Sequence, residues 1–226
     1  MDDQQTAPLP GASPAPSPST TPVFMPNVIT VAEGETITFR LVNASINEHK
    51  FKIGPELAVF VDDSALEVDS IGPGLTANLT YTFKGAGPFA FASHEDNQFE
   101  DGMLGYVVVV GPDVPKVGTP KTPRLVPIAM TDVPSFVPAS LQVAPGETIT
   151  FLASNVGVNP HEFQVGPAAL VAANKVDQVY DDSTGTISAG RVFTLTYTFP
   201  KSGAFAFASH LDGQYEAGMR GVITIR

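Results

Sequence analysis

The side chains able to do chemistry in this chain are few, and they fall into two matching sets. The 226 residues contain four histidines, five methionines and no cysteine. The stretch from Phe91 to Met103 reads FASHEDNQFEDGM, and the stretch from Phe207 to Met219 reads FASHLDGQYEAGM. Both put Ser, His, Gln and Met at the same places: Ser93, His94, Gln98 and Met103, then Ser209, His210, Gln214 and Met219. One further histidine stands upstream of each stretch, His49 and His161, each followed by x-Phe. Imidazole nitrogen and thioether sulfur suit soft or borderline metals, whereas neutral hydroxyl and carboxamide oxygens hold them poorly. His49, Met103, His161 and Met219 carry side chains of the kinds that can bind such metals. The methionines are equally readable as packing residues, and the two histidines as hydrogen-bonded parts of the loop.

His94 and His210 follow their serines directly. Successive side chains at a strand end face opposite ways, so these two should point away from His49 and His161. They read as surface or interface histidines. The loops also carry acid: Glu95, Asp96, Glu100 and Asp101 in the first, Asp212 and Glu216 in the second. With Asp62, Asp63, Asp181 and Asp182 they could suit a hard cation, but no calcium-loop spacing is present and a solvated rim is the simpler reading.

The absence of cysteine excludes disulfides, zinc–thiolate sites, iron–sulfur clusters, cysteine nucleophiles and a copper–thiolate centre. No phosphate-cradling glycine loop, G-x-S-x-G or H-E-x-x-H motif occurs. Asn43-Ala-Ser and Asn78-Leu-Thr match a glycosylation pattern that matters only in a eukaryotic secretory setting. Twelve Lys and Arg against 23 Asp and Glu give a formal charge of −11, which disfavours nucleic acid as a partner. No run of apolar residues is long enough for a membrane span. No basic-then-apolar leader is visible at the N-terminus either.

Those residues sit in a repeat. VITVAEGETITF (Val28–Phe39) is matched by LQVAPGETITF (Leu141–Phe151), and LTYTF occurs at Leu79–Phe83 and Leu195–Phe199. Each copy also has an Asn, Asn43 or Asn155, before its His-x-Phe. The first histidines are offset by 112 positions and the loops by 116, so the second copy carries four extra residues between Phe163 and Leu195. Residues 1–22 hold six prolines and much Ser, Thr and Ala, the composition of a flexible tether, or of an inconsequential end. The chain thus divides into a tether (1–22), a first domain (23–112), a linker (113–126) and a second domain (127–226).

Within each copy the hydrophobic period is two, and Gly or Pro turns separate short runs rich in Val, Ile, Thr and Phe. That pattern predicts an all-β chain of two tandem Greek-key β-sandwiches. Pro55–Asp62 and Pro167–Lys175 allow a short helix or an irregular excursion. The run Ile128–Met130 precedes the second copy without a counterpart before the first. The first domain should therefore lack a full opening strand, or borrow one, and leave an edge that needs cover.

Taken in order, V-x-x-G-E-T-I-T-F, Asn then H-x-F, L-T-Y-T-F and the loop ending in Gly-Met resemble the cupredoxin, or blue copper, family. The resemblance covers nearly all of Val23–Arg226 as two domains of cupredoxin type. It implies a copper held by an early histidine and by Cys, His and often Met of one late loop. By position His49 and His161 match the early ligand, and Met103 and Met219 the axial one. Ser93 and Ser209 stand at the cysteine place, and Gln98 and Gln214 at the loop-histidine place. The resemblance also implies an extracytoplasmic protein, periplasmic or at the cell surface.

Three functions follow as expectations. One is a non-blue copper- or metal-associated binding protein without a type 1 site, more readily a binder than an enzyme. Another is a structural or interaction module that meets a protein partner at the loop end through Phe99 and Tyr215. The last is a redox protein with copper between domains or subunits at His94 and His210.

Overall fold

The computed structural model describes residues 22–61, 64–112, 114, 116–176, 179–180 and 185–226. Nearly all of the tether, and Asp62, Asp63, Asp181 and Asp182, lie outside the described residues.

The first half contains β1 (Val28–Ala32), β2 (Thr36–Val42), β3 (His49–Pro55), α1 (Glu56–Phe60), β4 (Leu66–Ile71), β5 (Thr76–Thr82), β6 (Phe89–Ala92) and β7 (Leu104–Val110). Its main sheet has the order β1-β7-β6-β3-β4, and β2 pairs with β5 in a second sheet. The second half contains β8 (Arg124–Thr131), β9 (Ser135–Val137), β10 (Ser140–Val143), β11 (Thr148–Asn155), β12 (Phe163–Pro167), α2 (Ala168–Ala172), β13 (Val179–Tyr180), β14 (Val192–Thr198), β15 (Ala204–Ala208) and β16 (Arg220–Ile225). Its sheets run β10-β16-β15-β12-β13 and β14-β11-β8-β9. The all-β sandwich architecture expected from the period-two pattern is what forms. The two apolar excursions are the five-residue helices α1 and α2, each started by a proline, whose fixed φ suits a first turn.

Local chemistry explains the repeated turn. Gly34 and Gly146 take φ of +78° and +79°, a conformation glycine adopts without a Cβ penalty. The following glutamates fold back, so that Glu35 Oε2 accepts from Ala32 N and Glu147 Oε2 from Ala144 N, both at 2.7 Å. Each core is a set of phenylalanines packed edge-on or tilted, among them Phe51, Phe83, Phe89 and Phe91 in the first half and Phe163, Phe199, Phe205 and Phe207 in the second. Gly105 and Gly221 are required under those rings, because a Cβ at either would collide with Phe91 or Phe207.

β8 begins at Arg124, inside the segment read as linker, and it does so because both of its ends are anchored. The Arg124 guanidinium meets Glu147 at 2.6 Å, and Val126, Ile128 and Met130 are buried in the core. The four extra residues of the second copy fall between Val171 and Ile187. Val59 and Val171 play the same role at an offset of 112, whereas Ile71 and Ile187 face the two histidines at an offset of 116.

The halves meet through unlike faces. Ala90, Ala92, Tyr106 and Val108 of the first main sheet pack on Leu152, Leu125 and Val192 of the second half. Asn27 Nδ2 donates to Gly190 O at 2.7 Å, and Ser154 Oγ bonds Asn27 Oδ1. Tyr106 bonds Thr194, and burial, with the nearby Glu56 charge, pushes its phenol up to about 12.

Candidate metal centre

His49 opens β3, His161 stands just ahead of β12 in an isolated bridge to Ile187, and the loops β6–β7 and β15–β16 deliver the rest. Ser93 N and Ser209 N bond Met103 O and Met219 O, both at 3.1 Å. Each loop is thereby closed at its ends as a compact ring. Tight positive-φ residues inside it, Asp96 and Asn97 in one and Asp212 and Gly213 in the other, turn the chain so that the glutamine points inward.

In the first cage Gln98 Oε1 accepts from Ser93 Oγ at 2.7 Å and from His49 Nδ1 at 2.8 Å. Gln98 Nε2 donates to Glu48 O at 2.8 Å, which fixes the orientation of the amide. Ser93 Oγ in turn accepts from Lys50 N at 2.9 Å. The second cage repeats this bond for bond. Gln214 Oε1 accepts from Ser209 Oγ at 2.7 Å and His161 Nδ1 at 3.0 Å. Gln214 Nε2 donates to Pro160 O and Ser209 Oγ accepts from Glu162 N, both at 2.9 Å. Since a carboxamide oxygen only accepts, both histidines carry their proton on Nδ1. Met103 and Met219 are buried at 4% and 0% exposure beside histidines at 7% and 1%.

The cages differ on the far side of the imidazole. His49 Nε2 meets Ser45 Oγ at 2.6 Å. At the equivalent place stands Gly157, and His161 Nε2 is buried without a hydrogen-bond partner. Asp132 Oδ1 lies 3.9 Å from it. The Asp132 carboxyl is held below its ordinary value by the amides of Asn159 and Val158 and, to a lesser degree, by His161.

His94 and His210 face the other way. Their Nε2 atoms donate to the carbonyls of Val59 and Val171, each at 2.8 Å. Their rings stack on Phe99 and Tyr215 at centroid distances of 4.7 and 4.4 Å. Among the described residues no three His, Asp or Glu side chains gather where they could hold a metal. Of the acidic rim, Glu95 lies 3.5 Å from Lys50, which also meets Asp69 at 3.1 Å.

Two features escaped the sequence reading. Asn43 and Asn155 do more than mark the repeat. They are buried, and each Nδ2 ties the histidine loop to β4 or its equivalent through two carbonyls, Asn47 O and Ile71 O, or Asn159 O and Ile187 O. Their recurrence at a fixed distance before each histidine was the available signal. Ser45 and Asp132 carried none, because they belong to one cage each.

Residues 126–226 match the model of copper binding proteins of the plastocyanin/azurin family. The copper-resistant cuproprotein CopI of Rubrivivax gelatinosus is 34% identical over 113 residues, covering 47% of this chain and 68% of the relative. CopI of Pseudomonas aeruginosa is 26% identical over 127 residues, covering 40% and 70%. A copper nitrite reductase structure from Nitrosomonas europaea aligns with 88% of this chain and 82% of its own at 24% identity and a TM-score of 0.40.

Proposed function

The chain belongs to the cupredoxin family, and from that premise we propose that it is an extracytoplasmic, copper-associated protein whose cages are not blue centres. A type 1 copper does not fit. There is no thiolate, and each glutamine oxygen already holds the serine hydroxyl and the imidazole Nδ1 proton. The donor set fits a soft, non-blue attachment through imidazole and thioether, His49 with Met103 and His161 with Met219. The carrying observation is that the histidine and the methionine of each repeat are both buried, His49 with Met103 and His161 with Met219. Copper there is cargo, and thioether ligation favours its reduced ion. Taking it up costs the histidine–glutamine bond, about 0.5–1.5 kcal/mol, which weakens affinity by up to about tenfold.

The relatives named for copper resistance support the copper association. No described helix is long and apolar enough to cross a membrane. Titration of metal-free protein with Cu(I) and Cu(II) tests the proposal. Binding that disappears in His49→Ala/His161→Ala is the expected result, and no binding by the unsubstituted protein ends it.

The cage network favours a second reading, an interaction module, because His161 Nε2 is the one described cage nitrogen or oxygen that is buried without a hydrogen-bond partner. In that case the stacked pairs His94–Phe99 and His210–Tyr215 are the docking features. The reading expects no copper uptake, together with capture of a protein partner that Phe99→Ala/Tyr215→Ala loses. Nothing comparable favours copper at His94 and His210, whose Nε2 atoms are committed to helix carbonyls.

A further inference from the structure

β2 and β11 occupy equivalent places, yet their surroundings differ. β11 lies between β14 and β8, and β8 runs parallel to it with Arg124 opposite Ile149 and Met130 opposite Asn155. β8 fills the core with Val126, Ile128 and Met130. β2 has β5 on one side and, among the described residues, no strand on the other. Beside that open edge lies a groove of about 540 Å³, lined by Ile29, Phe39, Leu41, Phe51, His49 and Met103. Part of the missing unit is present. Phe24 packs edge-on to Phe51 and Phe91 at 5.7 and 5.2 Å, as Phe136 does to Phe163 and Phe207 at 5.8 and 5.1 Å. The groove thus lies where a β8-like strand would stand, and among the described residues the β2 edge beside it has no sheet partner.

We propose that this groove is a strand-addition site for an extended segment of a partner polypeptide, running parallel to β2 with large apolar side chains at alternate positions. β8 supplies the template. Pro127 has no N–H, so the β8 amides that reach β11 belong to residues 126, 128 and 130, the same residues that fill the core. The places 112 residues earlier hold Pro14, Pro16 and Pro18, which offer none of these three amides. Moving the register by one brings Ser13, Ala15 and Ser17 inward, too small for a groove in the size range of ligand clefts, ~300–1,000 Å³. The N-terminal segment therefore lacks the chemistry of the occupant, and main-chain bonding plus alternate side-chain pockets describes a peptide strand.

The test adds a synthetic peptide with the sequence of Arg124–Asp132 to the full chain. Saturable one-to-one binding is expected, with amide exchange slowed about tenfold at Ile37–Val42 and unchanged in β11. The same peptide carrying I128D and M130D should not bind, a control that leaves the protein untouched. Protein without residues 1–21 should bind the peptide equally well. Binding that appears only after that deletion would assign the groove to the chain's own N-terminal segment and overturn the proposal. So would a failure of both proteins to bind, or equal binding of the aspartate-bearing peptide.

Discussion

The two halves share a cage and differ in the sheet behind it and in their outer faces. Ser93, Gln98 and His49 make the same bonds as Ser209, Gln214 and His161, with lengths that agree within 0.2 Å. Among the described residues, the sheet behind the first cage has two strands and the sheet behind the second has four. β2 alternates exposed and half-buried residues, whereas all but one residue of β11 is buried. Where Leu152 and Val192 bury themselves against the first half, the equivalent residues of the first half are Arg40 and Thr76. Where Leu104, Tyr106 and Val108 reach across, the second half has Arg220, Val222 and Thr224, with Val222 60% exposed. A cage built from one late loop and one upstream histidine is fixed by residues that both copies keep. The outer faces are instead tuned to what covers them, so the head-to-tail contact between halves is made once and not offered again at either free face.

The sharpest way to break this comparison is to cut equivalent anchors. Phe136→Ala should cost about 3–5 kcal/mol in urea unfolding. Phe24→Ala should cost clearly less, because its surroundings already open into the groove. Equal losses would mean that the first half is as closed as the second. Next in size is the contact between halves. Leu152→Ala should cost about 2–5 kcal/mol, while Arg40→Ala at the equivalent exposed place should stay within about 0.5 kcal/mol.

The cages themselves should respond alike. Gln98→Ala and Gln214→Ala each strand a buried hydroxyl and an imidazole N–H, at about 1–3 kcal/mol per cage. A large difference between the two would show that one network is not closed as described.

The smallest effect separates Glu147 from Glu35. Burial alone would raise the Glu147 carboxyl, but Arg124 and the amides of Ala144 and Gly118 outweigh it and hold the group below its ordinary value. A carboxyl lowered by folding adds stability above its unfolded pKa, about 4.3. That stability is lost as pH falls through the folded value. Glu147→Gln should therefore lower neutral-pH stability by about 1.5 kcal/mol and flatten the acid limb of the pH–stability curve. Glu35→Gln should change the curve far less, as Glu35 meets only one backbone amide among the bonds described.

How far the sequence carried the fold follows from the same contrast. Period-two runs and Gly turns made the strands legible, because strand faces and positive-φ turns leave direct marks on residue type. The opening strand was legible as an asymmetry, since Ile128–Met130 has no earlier twin. That His49 and His161 belong with the late loops followed from the resemblance of those loops to the cupredoxin pattern, and strand alternation gave the outward direction of His94 and His210. The closing bonds of the cage were not, because a carboxamide reads equally as ligand, surface group or hydrogen-bond hub until its neighbours are known. Nor was the meeting of the halves. Leu125, Leu152 and Val192 look like any strand apolar residues, and only the partner face distinguishes them from core.

The most direct test of the central claim is histidine-ring nitrogen NMR during Cu(I) titration of metal-free protein. Before copper, His49 and His161 should both show the Nδ1-protonated form set by Gln98 and Gln214. Copper should then move the ring signals of His49 and His161 and the methyl signals of Met103 and Met219, and leave His94 and His210 in place. Changes confined to His94 and His210, or no change at stoichiometric Cu(I), would contradict it.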